Sequence, residues 1–181
     1  MKLLLENFKS YITEQESGLP QIYCDMDGVL CDFISSANKV TGLNWGGLRK
    51  HQDWDTIRDT QNFWANLGWE TGGKKLWRYI KKYNPSILSA TVNQQKDPNC
   101  APGKMRWLSK NLRLNNSARI NLVRRAQKQD YAKVNRGGKI EAAVLIDDFP
   151  KNIREWTAKG GIGILHTNTS TTISALKRLG F

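Results

Sequence analysis

The stretch Ile22-Tyr23-Cys24-Asp25-Met26-Asp27-Gly28-Val29-Leu30 limits what this chain can become. An apolar run ends in two carboxylates one residue apart, and a glycine follows. Such a run, closed by a turn signal, reads as a buried strand of a parallel sheet. Asp25 and Asp27 then stand at its carboxyl end, where open α/β sheets place their ligands. Side chains two apart on an extended chain point to the same side, so the two acids converge. Like charges that close repel, and a bound cation relieves the repulsion. Gly28 lets the chain turn away without a Cβ.

The chain after this stretch alternates between strands and helices. Strands are expected at Ser86-Ile87-Leu88-Ser89, Arg119–Val123, Ala142–Ile146 and Ile162–Leu165. Helices are expected over Asp32–Thr41, Lys74–Tyr83 and Gly103–Leu114, in part of the basic run Arg124–Arg136, and after Pro150. A last helix is expected behind a Ser170 cap. The alternation predicts a parallel sheet with helices on both faces. Residues 43–72 change character: they hold Trp45, Trp54, Trp64 and Trp69, four of the seven tryptophans, with no strong strand signal. The expected plan is an N-terminal helix and linker over 1–20, a core over 21–42 and 74–181, and a small helical insertion over 43–73. A compact aromatic core explains most of these tryptophans, and stacking of one or two on a substrate base is the functional alternative.

At 181 residues, one domain with a modest insertion is expected. The formal net charge is +12, and it is uneven. Residues 90–140 hold 12 Lys and Arg against only Asp97 and Asp130. Such a region either attracts phosphate-rich partners or is simply a solvated surface. Cys24, Cys31 and Cys100 are an odd number without metal-ligand spacing, which fits a reducing compartment. His51 and His166 have no obvious partners, which argues against a His-based triad. No apolar run approaches membrane-spanning length, and Glu6 breaks Leu3-Leu4-Leu5, so a secretory signal is not indicated. Residues 1–16 read as an amphipathic helix with Leu4, Leu5, Phe8, Tyr11 and Ile12 near helical spacing.

The string DMDGVLCDF from Asp25 to Phe33 resembles the first motif of the haloacid dehalogenase superfamily of phosphatases. The order of later strand ends agrees: Ser89 ends the second strand, Lys104 opens the next helix, and Asp147-Asp148 end the fourth strand. With Gly103–Leu108, Leu145–Ile153 and the pair Phe63-Trp64, the chain is similar to the 5'(3')-deoxyribonucleotidase family over roughly residues 21–168. It departs from that family at Ser89-Ala90-Thr91, where Thr/Ser-Pro is commoner, and in a long loop before Lys104.

The resemblance implies a Rossmann-like α/β core with a small helical cap, and an Mg²⁺-dependent phosphomonoester hydrolase. It makes Asp25 the nucleophile and Asp27 the general acid and base. Ser89 would donate to the phosphoryl group, and Lys104 would stabilise charge on its oxygens. Mg²⁺ would be held by Asp25, Asp147 and the backbone oxygen of Asp27, with Asp148 behind them. Phe63, Trp64, Ala90 and Thr91 are the candidate substrate contacts, and Asp32 either belongs to the motif or caps the following helix. Residues 1–15, MKLLLENFKSYITEQ, also resemble leader peptides of proteins packaged in heads of T4-like phages, with Ile12-Thr13-Glu14 matching the cleavage pattern. That likeness implies a phage-encoded protein, in the infected cell's cytoplasm or the virion.

A (deoxy)nucleotide is the expected partner. Two alternatives stand beside it: a 3'-phosphatase on nucleic acid ends, with the basic residues 104–139 tracking the backbone, and a DNA-associated phage head protein using the fold as a scaffold. Four clustered carboxylates argue against the scaffold, which has no need of them.

Overall fold

The computed structural model describes residues 18–45 and 54–181. The residues of the expected N-terminal helix and of the leader-like segment, Gly46-Gly47 and His51 lie outside these residues. In chain order the elements are β1 (Ile22–Cys24), β2 (Cys31–Asp32), α1 (Phe33–Thr41), α2 (Trp54–Asp59), β3 (Gly68–Trp69), α3 (Gly73–Ile80), β4 (Ser86–Ala90), α4 (Cys100–Leu112), β5 (Ile120–Val123), β6 (Lys133–Arg136), β7 (Lys139–Ala142), β8 (Val144–Asp147), α5 (Pro150–Ala158), β9 (Ile162–Leu165) and α6 (Thr169–Arg178).

Five strands pair in the order β5-β4-β1-β8-β9, all parallel. The chain builds outward from β1 on one side, through β4 to β5, then crosses to the other side for β8 and β9. Strand order therefore reverses at β1, and the crevice beyond its carboxyl end is the switch point at which such sheets bind ligands.

Both faces of the sheet are covered, and the period of two along each strand shows it. Ile22, Cys24, Ile87, Val144 and Ile146 belong to one apolar cluster, which also contains Leu76 and Ile80 of α3, Trp107 of α4 and Leu176 of α6. Tyr23, Leu88 and Leu145 point the other way, into a second cluster with Trp156 of α5 and Ala132. The three cysteines are buried free thiols, as small apolar side chains of a core.

The insertion is helical, with α2 and a 3-10 turn at Phe63–Asn66, but it also contributes a short strand. β3 pairs antiparallel with β2 and ties the insertion to the loop that leaves β1. Phe33, Trp45, Trp54, Phe63 and Trp64 form a connected group of ring contacts, the aromatic core expected there.

Other expectations are corrected. The strand expected at Ala142–Ile146 is two strands: β7 ends at Ala142, and β8 begins at Val144. β6 and β7 form an antiparallel hairpin where the alternation predicted only partial helix. Gly137 and Gly138 form its two-residue turn with φ of 57° and 88°, the left-handed pair a tight hairpin requires. The run before it is a 3-10 helix, Arg125–Tyr131. α4 starts at Cys100, so Lys104 sits a full turn inside it. Asn168, not Ser170, caps α6: its side chain accepts from the Thr171 N–H at 3.0 Å.

Candidate active site

The carboxyl ends of β1, β4 and β8 bring Asp25, Ser89 and Asp147 together, because these three strands are neighbours in the sheet. After Asp25 the chain makes one tight turn, with the Leu30 and Cys31 N–H groups donating to the Met26 carbonyl at 2.7 and 2.8 Å. Gly28 takes φ of 71°, and a Cβ there would collide with the Asp148 carboxylate. Glycine at 28 therefore does two things: it permits the turn, and it lets Asp148 approach β1.

Asp25 is held from two sides. Its Oδ1 accepts from the Met26 N–H at 2.7 Å, and its Oδ2 pairs with Lys128 Nζ at 2.7 Å. The same ammonium reaches Asp147 Oδ2 at 2.7 Å. Lys128 is 2% exposed, so one buried cation bridges two buried carboxylates. Burial works against its charge, and Asp25 and Asp147 outweigh it, so its pKa stands above the ordinary lysine value. Asp147 is further fixed by the Phe149 N–H at 2.9 Å and by Asn152 Nδ2, which donates to both oxygens at 3.0 and 2.9 Å. Burial and then the Asp25 charge push the Asp147 carboxyl up to about 6, against the pull of Lys128.

A second buried cation serves Asp27. Lys104 is fully buried and donates to Asp27 Oδ2 at 2.6 Å, to Ser89 Oγ at 2.9 Å and to the Ala90 carbonyl at 2.7 Å. Its ammonium also lies over the Trp64 ring, 5.2 Å from the centroid. Burial disfavours its charge, but the negative groups around it, Asp27 first, hold its pKa above the usual lysine value. Asp27 Oδ1 is buried and has no hydrogen-bond partner. Burial raises the Asp27 carboxyl above the usual carboxylate range, and Lys104 restrains the rise. A carboxyl raised toward protonation, with one unpartnered oxygen, is suited to give and take a proton.

The site's donor set fits a divalent cation. Asp25, Asp147 and Asp148 each offer a carboxylate oxygen, and these lie within 4.8 Å of one another. All are oxygens, the ligands preferred by hard cations. Asp25, Asp27, Asp147 and Asp148 against Lys104 and Lys128 leave a net charge of −2 when all are ionised. Burial and the Asp25 and Asp147 charges push the Asp148 carboxyl up to about 7, a repulsion that a dication would relieve.

Of the other candidates, Ala90 and Thr91 lie at the mouth of β4, with the Thr91 N–H donating to the Val123 carbonyl at 2.8 Å. Phe63 and Trp64 are 5% and 3% exposed, so their rings belong to the insertion's core and leave little surface for a base. Trp64 Nε1 donates to the buried Asp97 at 2.6 Å. Asp32 caps α1, accepting from the Ser35 N–H at 2.9 Å. Sequence reasoning missed Lys128 and Asn152. Lys128 sits three and four residues before Tyr131 and Ala132, which pack on the sheet, and that helical spacing marked it as inward-facing. Asn152 follows Asp147 by five residues, in the first turn of α5 and within the stretch that resembles the nucleotidases.

No protein-family model matches the chain, and no curated protein matches it. Solved structures do resemble it. One is a hydrolase from Streptococcus pneumoniae TIGR4, with a TM-score of 0.47 and 14% identity, covering 88% of this chain and 98% of that one. A hydrolase from Pseudomonas syringae has a TM-score of 0.44 and 16% identity, covering 88% and 90%. Protein Tyrosine Kinase A of Mycobacterium tuberculosis has a TM-score of 0.44 and 16% identity, covering 82% and 84%. Likeness at this level says nothing of activity, and the functional reading rests on the site's own residues.

Proposed function

We propose that this chain is a phosphomonoester hydrolase that works through an aspartyl-phosphate on Asp25. The observation that supports this most is the division of labour between two adjacent carboxylates. Asp25 is paired with the Lys128 ammonium and accepts the Met26 N–H, while Asp27 is raised toward protonation with one oxygen unpartnered. A nucleophile needs the first environment, and a general acid needs the second.

Asp25 attacks phosphorus as Asp27 protonates the departing oxygen. Asp27, now ionised, takes a proton from the water that hydrolyses the acyl-phosphate. Lys128, beside Asp25, and Ser89, whose hydroxyl proton is free because its oxygen accepts from Lys104, stabilise charge on the phosphoryl oxygens. Lys104 is a positioning residue for Asp27 and Ser89, which revises the direct phosphate contact expected of it. Asp25, Asp147 and Asp148 would hold Mg²⁺, which when bound offsets the substrate's negative charge.

A nucleotide, as in the resembled family, is the favoured substrate class. The polynucleotide alternative loses much of its motive. Lys104 and Lys128 are buried, Arg125 pairs with Glu155 at 2.6 Å, and Arg136 is tied to the Leu19 carbonyl at 2.7 Å. The test is phosphate release from nucleotides, sugar phosphates and 3'-phosphorylated oligonucleotides, with and without Mg²⁺. Wild type should turn over small phosphomonoesters only with Mg²⁺, and Asp25→Asn should keep the fold and lose turnover. An active Asp25→Asn enzyme would end the aspartyl-phosphate reading.

A further inference from the structure

Beside the carboxylate site, a cleft of about 720 Å³ opens between the loop that leaves β4 and the carboxyl end of β5. Its position follows from the fold: β4 and β5 are neighbours, and the long loop before α4 rises over both. Thr91, two residues beyond Ser89, Met105, next to Lys104, and Gln127, next to Lys128, all line it, so its wall is built from the chain neighbours of three candidate site residues. Apolar groups such as Val92, Met105 and Leu122 form part of its lining, and amide side chains form another part.

Charge in the cleft is uneven. Asp97 is buried, and its carboxylate is already used: one oxygen takes the Trp64 Nε1–H and the other the Asn99 N–H at 2.9 Å. Arg124 also lines the cleft, and among the described residues no carboxylate pairs with it. Its neighbour Arg125 is the contrast, since that guanidinium is taken by Glu155 and Asn152. The Arg124 backbone is set in place by Gln127: its N–H donates to Gln127 Oε1 at 3.0 Å, and its carbonyl accepts the Gln127 N–H at 2.9 Å. Arg124 is exposed at the cleft wall with its backbone anchored, and an unpaired guanidinium is a common protein partner for a carboxylate or phosphate.

We infer that this cleft receives the leaving group, and that Arg124 selects substrates whose leaving group carries a second anionic group, such as a further phosphate. The inference rests on the phosphoester-hydrolase reading for its chemistry, and on Arg124 and the cleft for its selectivity. It places substrate recognition on the β4–β5 side of the site rather than on the buried rings of the insertion.

The experiment compares a nucleoside 5'-monophosphate with the corresponding 3',5'-bisphosphate, and a sugar monophosphate with its bisphosphate, using the full chain and Mg²⁺. Wild type should favour the bisphosphate of each pair in kcat/KM by about tenfold to a hundredfold, the range of one charge-assisted contact. Arg124→Gln should bring each ratio close to one, and Arg124→Lys should restore part of it. Calorimetry on Asp25→Asn should show the same ratio in Kd, so selectivity is read even without turnover. Equal handling of both members of each pair by wild type, or a ratio unchanged in Arg124→Gln, would overturn the inference. Selective binding without any phosphate release would leave the cleft assignment standing and defeat the hydrolase reading alone.

Discussion

Lys104 Nζ lies 2.6 Å from Asp27 Oδ2, with the lysine wholly buried and the aspartate's other oxygen unpartnered. The pair is asymmetric in purpose. Lys104 spends its remaining donors on Ser89 and the Ala90 carbonyl, so it is locked, whereas Asp27 keeps an oxygen for chemistry.

That relationship gives the first prediction. Lys104 lowers an Asp27 pKa that burial raises, so Lys104→Met should raise it further. As general acid, Asp27 fails when it deprotonates, so the alkaline limb it contributes to the kcat profile should move to higher pH. Its service as base in the second step should weaken, and kcat should fall, within the roughly 10²–10⁴-fold that general acid–base catalysis supplies. Asp27→Asn should lose that whole factor. A Lys104→Met profile with unshifted limbs would separate Lys104 from the proton transfer.

Lys128 gives the second. Removing one member of a buried ion cluster leaves the others uncompensated, at a cost of about 3–5 kcal/mol. Lys128→Met leaves Asp25 and Asp147 facing each other with only backbone and Asn152 donors. Denaturant unfolding should show a loss of that order in the metal-free protein, with part of it recovered in Mg²⁺. Unfolding midpoints equal to wild type would mean the bridge contributes nothing to the fold.

Much of this site was legible in the sequence. An apolar run ending at Asp25 and another ending at Asp147 predicted two strand ends of one parallel sheet, because buried parallel strands announce themselves by composition; that the two strands are neighbours came from the structure. Lys128 was hidden for the opposite reason. It shares a run with Arg124, Arg125, Lys133 and Arg136, and composition alone does not say which cation turns inward. The β6–β7 hairpin was signalled by Gly137-Gly138, but Lys133, Arg136 and Lys139 around it look like solvated surface rather than strand. Phe63 and Trp64 show the remaining limit: sequence placed both rings near the site, but only packing decides whether a ring faces solvent or core.

Asp147 and Asp148 set the third prediction, for protein without divalent cations. Their folded pKa values are raised to about 6 and about 7 from 3.8, so the folded state holds these protons more tightly than the unfolded chain. Their contribution is fully favourable below the unfolded value and is lost as pH rises through the folded ones. Thermal unfolding in EDTA should therefore lose stability from these groups between about pH 4 and pH 7. Mg²⁺ favours the ionised carboxylates, so its stabilising effect should be larger at pH 8 than at pH 5. Asp147→Ala should remove most of that Mg²⁺ response. An Mg²⁺ effect that is the same at both pH values would place the cation away from these acids.

Trp64 gives the last. Its ring is 3% exposed, stacks on Phe33 with centroids 5.5 Å apart, supports the Lys104 ammonium and donates to the buried Asp97. If the ring served a substrate base, Trp64→Ala would raise KM for nucleotides and leave simple phosphoesters alone. The packing predicts otherwise. Truncating a buried Trp costs about 3–5 kcal/mol, which lowers Tm by roughly 10 °C in a chain of this size. The substitution also leaves Asp97 without its indole donor and Lys104 without its support. kcat should then fall alike for nucleotides and for p-nitrophenyl phosphate, with KM for the two moving together. Trp64→Phe keeps a ring beneath Lys104 but leaves Asp97 Oδ2 without its indole donor, so it should recover kcat more fully than stability. A Trp64→Ala protein as stable as wild type, with a KM defect confined to nucleotides, would return the ring to the substrate.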